Sequence, residues 1–165
     1  MNHEAERIVK ALNLKKHPEG GFFAEAYRSA ETLEKDLHKR YEGIHSLYTS
    51  IYFLLSENDF SAFHVLKSDE IWHFYAGKTL DIHIINPDDT YKRVSLGKNI
   101  ESGEHFQYLI KAGQNFAAEV RDKTSFALVG CTVSPGFEYS DFELSKKEEL
   151  IEKFPAHRIL IERLT

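Results

Sequence analysis

A histidine and a glutamate on neighbouring strand-like runs carry the chemistry most readily read from this chain. They lie in residues 58–77, NDFSAFHVLKSDEIWHFYAG. Side chains on a strand alternate faces, so His64 shares a face with Ala62 and Leu66. In the next run Glu70, Trp72 and Phe74 share a face, opposite Ile71, His73 and Tyr75. If His64 points into a barrel, strand pairing brings Glu70 and Trp72 in with it. An imidazole titrates near neutral pH and suits a general base. A carboxyl group beside it orients the ring or acts as a second acid or base. Few polar groups on an aromatic wall also describe a small-molecule pocket, in which Trp72 would stack on a flat face of the ligand. The same two residues read structurally are a hydrogen-bonded pair at a barrel mouth. His73 faces away unless a bulge re-aims it. Otherwise it packs at a sheet or dimer interface.

Further candidates are more scattered. Tyr52 shares a face with Ser50 and Leu54, and Tyr139 follows the turn signal Pro135-Gly136. Either tyrosine could donate a proton from the far side of a pocket, or such aromatics could seal the barrel end. In HPEGGFFAEAYRS, residues 17–29, paired glycines permit a tight turn or a close backbone approach. Alternation there puts Phe23, Glu25 and Tyr27 on one face, and Phe22, Ala24, Ala26 and Arg28 on the other. That strand lines a pocket or is an edge wetted on one side. Arg28 is the candidate for stabilising an enolate. In KAGQNFAAEV, residues 111–120, Phe116 and Glu119 point in opposite directions. Glu119 is a pocket group or half of a surface ion pair with Arg121. Cys131 reads as a buried strand thiol. The sequence has no phosphate-cradling glycine loop and no Gly-x-Ser-x-Gly elbow.

The elements that would position these groups are mostly short strands. Residues 49–55, 61–67, 70–75, 80–85, 91–96, 105–110, 115–120 and 126–133 read as a strand series with turns between them. Asn86-Pro87-Asp88-Asp89 is a hairpin turn signal. Strands at this spacing argue a sandwich or barrel. Residues 2–14 read as an amphipathic helix capped by Asn2. Residues 31–42 are polar and charge-dense, a solvated loop or short helix. Ser145 and Glu148 have capping-box spacing at the start of a helix that Pro155 ends. A short final helix follows. The expectation is one domain over residues 1–165, with a barrel at about residues 20–143 and helical ends at 2–14 and 145–164.

The 165 residues carry a formal net charge of −5, and the charges are mixed along the chain. There is no basic footprint for nucleic acid. The sole cysteine excludes an intrachain disulfide and suits a reducing compartment. The N-terminus has no apolar signal-peptide region, and no apolar run approaches a membrane span. These features point to a soluble cytoplasmic protein.

The stretches HPEGGFFAEAYRS, TSIYFLL, SAFHVLKSDEIWHFYAG, KAGQNFAAEV, LVGCTVSPGFEYSDFEL and FPAHRILIERLT together resemble cupin family five. This is a branch of the cupin superfamily formerly classed as a domain of unknown function. The resemblance implies a mainly β fold, the double-stranded β-helix or jelly roll, with flanking helices and a homodimer. It also implies similarity to nucleotide-sugar epimerases of the cupin class, which work without metal through a histidine base and a tyrosine acid. Against the superfamily's metal-binding motifs, Leu66 stands where a second histidine would be and Phe116 where the last one would be. Gly77 and Gly113 match the turn glycines, and Lys111 replaces a proline. Only His64 and Glu70 remain of four ligands, whereas a transition metal wants three or four. No metal and no cofactor are therefore expected. The expected activity is a metal-independent carbohydrate epimerase or isomerase acting on a sugar or nucleotide sugar. The alternative is a non-catalytic binding or sensing module, and a metal-dependent enzyme ranks below both.

Overall fold

The computed structural model describes residues 1–33 and 40–165. The chain runs α1 (His3–Ala11), β1 (Lys15–Lys16), β2 (Phe22–Arg28), β3 (Thr32–Leu33), β4 (His45–Ser46), β5 (Thr49–Ser56), β6 (Phe60–Leu66) and β7 (Asp69–Gly77). It continues through β8 (Leu80–Ile85), β9 (Tyr91–Leu96), β10 (Gln107–Ile110), β11 (Asn115–Val120), β12 (Phe126–Ser134), β13 (Phe142–Leu144), α2 (Lys147–Lys153) and α3 (Arg158–Arg163). The sequence-predicted strands are all present, with ends moved by one or two residues. Part of the charge-dense stretch 31–42 lies outside the described residues.

Two sheets face each other as a jelly-roll sandwich. One has the order β1-β2-β5-β12-β7-β10 and the other β13-β6-β11-β8-β9. The pairs within each sheet are antiparallel. Non-consecutive neighbours such as β5-β12 and β6-β11 mean that the chain crosses between sheets, as a jelly roll requires. Inward residues of both sheets form the core, with Phe53, Trp72, Ile82, Ile84, Phe116 and Val129 all buried. The Trp72 ring bridges it, edge-on to Phe53 at 5.6 Å and to Phe116 at 6.1 Å between centroids.

The helices cover the outer faces. Phe63, on the face of β6 opposite His64, is fully buried against Leu150, Phe154, Ile161 and Leu164. The first helix packs Ala5 over Leu54 and Phe126. Its cap is as expected, with the Asn2 side chain accepting from the Ala5 N–H at 2.9 Å. The capping box at Ser145 does not form. Helix α2 starts after Lys146 with no side-chain cap, because the Ser145 hydroxyl donates to the Asn115 side chain at 3.1 Å instead. Among the described residues no helix is long and apolar enough to cross a membrane.

Candidate functional site

Three segments converge at one end of the sandwich to form a cavity of about 180 Å³. The first is the turn before β2. There Gly20 and Gly21 adopt φ of 114° and 67°, conformations that other residues rarely take. A Cβ on Gly20 would stand 2.0 Å from the Phe60 carbonyl oxygen. The turn is pinned to β6 by the Ala62 N–H, which donates to the Glu19 carbonyl at 2.8 Å. This close approach sends the Glu19 side chain back into the barrel. The second segment is β6, whose alternation puts His64 and Leu66 on the cavity wall. The third is β7, where Glu70 pairs with Val133 and Trp72 with Cys131.

Hydrogen bonding sets the imidazole tautomers. His64 Nδ1 lies 2.7 Å from the Ala62 carbonyl oxygen, which can only accept, so Nδ1 carries the proton. Nε2 is left as a lone pair, 3.4 Å from Glu19 Oε2. His17 Nδ1 accepts the Glu19 backbone N–H at 3.3 Å and is likewise unprotonated. It lies 3.5 Å from the same Glu19 oxygen. Glu19 Oε1 accepts from the Ser61 hydroxyl at 2.8 Å. Glu19 Oε2 thus faces the His64 Nε2 lone pair, while the His17 lone pair is taken by the Glu19 backbone N–H.

Burial dominates the electrostatics. It raises the Glu19 pKa, against the pull of His17 and Ser61. It pushes Glu70 up to about 7, with the His64 imidazole and Trp72 indole pulling the other way and Glu19 adding to the push. Burial also lowers both imidazoles, His64 against its Ala62 bond and nearby Glu70, and His17 against Glu19. Among the described residues the buried Glu70 Oε2 and Trp72 Nε1 close no hydrogen bond of good geometry, although the indole N–H stands near enough to the carboxyl to lower its pKa. Buried polar atoms are usually partnered, so an orphan facing a cavity wants an explanation. The remaining walls are apolar, chiefly Phe23, Phe53, Phe142, Ile51 and Val133.

The mouth is held by ion pairs. Arg28 reaches Glu25 at 2.9 Å and Glu138 at 2.7 Å, and donates to the Phe137 carbonyl at 3.2 Å. Further along the segment that follows β12, Asp141 meets His45 at 2.5 Å and Lys67 at 3.4 Å. These contacts tie the segment between β12 and β13 over the opening.

The expected site residues divide. His64, Glu70, Arg28 and Tyr139 line the cavity. Trp72 is buried in the core, and the Phe116 ring stands 4.0 Å from the His64 ring. Arg28 arrives on the same side as Glu25, contrary to strict alternation, because a register shift between Glu25 and Tyr27 turns the strand. Tyr52 lies on the outer face of its sheet, opposite Phe53 and 6.1 Å from the Tyr75 ring. His73, paired with Gly130 and Gln107, also sits on that outer face, and no bulge re-aims it. Glu119 faces outward from β11, ion-paired with Arg163 and Lys123 rather than with Arg121. Those partners and His83 outweigh its partial burial and hold its pKa well below the usual range. Arg121 pairs with Asp81.

Sequence reasoning missed His17, Glu19 and Glu138 as cavity residues, and it missed that Cys131 lines the wall. The paired glycines were the available signal for Glu19. Burial, with Glu70 and Glu19 nearby, raises the Cys131 thiol far above its ordinary pKa, which keeps it a neutral wall group. Among the described residues no three His, Cys, Asp or Glu side chains converge so as to hold a metal ion. Leu66 and Phe116 fill the ground where further ligands would stand, so the residues present do not fit a resident transition metal.

Comparison with known proteins agrees with this fold. The family model described as "Cupin superfamily (DUF985)" matches residues 6–145. The solved structure of protein SO0799 from Shewanella oneidensis is 37% identical, with a TM-score of 0.89 over 98% of this chain and 96% of that one. A hypothetical protein from Leishmania major is 35% identical, with a TM-score of 0.88 over 98% of both chains. The uncharacterized protein YML079W of Saccharomyces cerevisiae is 27% identical over 87% of this chain and 76% of its own length. A Bacillus subtilis oxalate decarboxylase variant shares the fold alone, at 14% identity and TM-score 0.56, over 91% of this chain and 37% of that one.

Proposed function

The chain belongs to the cupin superfamily, in the family described as Cupin superfamily (DUF985), and from that premise we propose that its cavity binds a ring-sized small molecule and moves a proton on it without a metal. The reaction class is isomerisation or epimerisation of the carbohydrate type. One observation carries this reading: the unprotonated Nε2 of His64, the Glu19 carboxyl and the orphaned Glu70 oxygen share one apolar cavity.

His64 is the base. Its Nε2 lone pair takes a proton from the ligand while the Ala62 carbonyl holds the ring and favours the imidazolium that forms. Glu19 stands where it can exchange a proton with that nitrogen. Glu70, pushed up to about 7, is part protonated near neutral pH and returns a proton to the ligand. A cavity of about 180 Å³ holds about six waters at roughly 30 Å³ each, which is the space of one ring. A nucleotide attached to a sugar would therefore lie outside the Arg28–Glu138 rim.

A binding module without turnover is the second reading. It is favoured by the position of the tyrosines: Tyr52 is outside the barrel and Tyr139 is at the exposed rim. A homodimer and a cytoplasmic setting belong to the same overall reading, and sedimentation equilibrium tests the first.

The test is a ligand screen on the wild type and His64→Ala. Retained affinity with lost turnover supports catalysis. Binding without turnover in the wild type itself leaves the module.

A further inference from the structure

The polar groups of this cavity are unbalanced in a way that selects a ligand. Among the described residues four carboxyl groups line it, from Glu19, Glu25, Glu70 and Glu138, against a single guanidinium. That guanidinium, Arg28, is engaged by Glu25, Glu138 and the Phe137 carbonyl. Among the described residues Glu19 and Glu70 lie deep in the barrel with no Lys or Arg against them. His64 turns its Nε2 lone pair toward Glu19, and the His17 lone pair is taken by the Glu19 backbone N–H. Among the described residues Glu70 Oε2, in a residue 7% exposed, closes no hydrogen bond of good geometry, with the Trp72 indole as the donor that acts on it. The inner wall thus offers mostly acceptors, between aromatic rings.

We propose that the ligand of this cavity is a small organic cation, a protonated amine or amidine on a frame no larger than one ring. The inference rests on the small-molecule reading above and names the ligand class. An ammonium group has three donors and no acceptor, the complement of Glu70 Oε2, Glu19 Oε2 and His64 Nε2. Charge-assisted hydrogen bonds to a carboxylate are about twice as strong as neutral ones. Phe23, Phe53 and Phe142 line the same cavity, where an aromatic ring can add cation–π attraction. A carboxylate or phosphate ligand would instead face Glu19 and Glu70, with no free cation among the described lining residues to receive it. A plain sugar can donate its hydroxyls to the same acceptors but brings no charge to match the carboxyls, so within the carbohydrate-type reading the ligand is an amino-substituted ring. Because burial pushes Glu70 up to about 7 and raises Glu19, a cation that pairs with these carboxyls displaces protons as it binds, and a neutral ligand does not.

Calorimetry with three molecules of one shape tests this: cyclohexylammonium, cyclohexanol and cyclohexanecarboxylate. The cation should bind the whole protein at least about tenfold more tightly than the alcohol. At about pH 6 its binding heat should depend on the buffer's ionisation heat, which reports proton release. Glu70→Gln should weaken the cation by roughly tenfold and the alcohol by clearly less. Glu138→Gln, at the rim, should keep the order of the three. Equal or tighter binding of the alcohol or the carboxylate overturns the cation proposal and leaves the pocket reading intact. No binding of any of the three overturns both.

Discussion

His64 Nε2 faces Glu19 Oε2 across 3.4 Å, while its other nitrogen is tied to the Ala62 carbonyl at 2.7 Å. The relationship depends on the turn at Gly20 and Gly21, which is itself bonded to the residue next to Phe63 on β6. Backbone contacts therefore fix both the tautomer of the base and the position of its acid partner. In ¹⁵N NMR His64 should appear as the neutral, Nδ1-protonated tautomer. Burial lowers its pKa, so it should gain a second proton only below its ordinary value of about 6.5. An Nε2-protonated ring at neutral pH would show that Glu19 does not face a lone pair.

Glu70 gives the fold a pH dependence of defined sign. Its pKa is about 7 when folded and 4.5 in the reference state. Between those values the folded state keeps a proton that the unfolded chain has lost. Its contribution to stability is present in full below the lower value and falls as pH rises toward the upper one. The total loss is on the order of 3 kcal/mol. Glu19, also raised, acts in the same direction. The lowered imidazoles of His17 and His64 act oppositely, costing stability as pH falls below their ordinary range. Glu70→Gln isolates the first effect. Urea denaturation across this range should show the variant gaining on the wild type up to neutral pH, then a constant difference.

Gly20→Ala should damage the site through the backbone. The new Cβ meets the Phe60 carbonyl at 2.0 Å, and φ is 114°. A destabilisation of roughly 2 kcal/mol or more is expected, read as a lower denaturation midpoint. The His64 chemical shifts should move with it, because the turn carries Glu19.

Leu66 and Phe116 predict a gain of function. Leu66 lines the cavity and the Phe116 ring stands 4.0 Å from His64. The combined Leu66→His and Phe116→His variant would supply His64, Glu70 and two further imidazoles, enough donors for a divalent transition metal. Mass spectrometry should find metal bound to this variant near one per chain, and far less bound to the wild type under the same conditions. Equal metal in both would mean that other residues complete a site.

Much of this was legible in the chain because strand alternation is a strong rule where one face is buried. It placed His64, Glu70 and Trp72 inward, and His73 outward. It failed at Arg28, where one bulge between Glu25 and Tyr27 reverses the facing and creates the rim. No residue type announces such a bulge. Glu19 was hidden for a different reason. It sits in a turn, where periodicity says nothing, and only the contact with β6 aims it inward. The Ser145 capping box was lost to a tertiary partner, Asn115, which lies thirty residues away in the chain. Cross-strand partners of this kind are set by the fold and not by local spacing.

Proton transfer to and from a ring bound in the cavity can be read directly by solvent deuterium incorporation, without knowledge of the natural product. Ring-sized hydroxy- and amino-carbonyl compounds would be incubated with the protein in D₂O and followed by proton NMR. One carbon-bound proton signal should be lost with the wild type and none with His64→Ala. A compound that binds the wild type but exchanges no carbon-bound proton, across the whole set, would contradict this proton transfer and leave a binding protein.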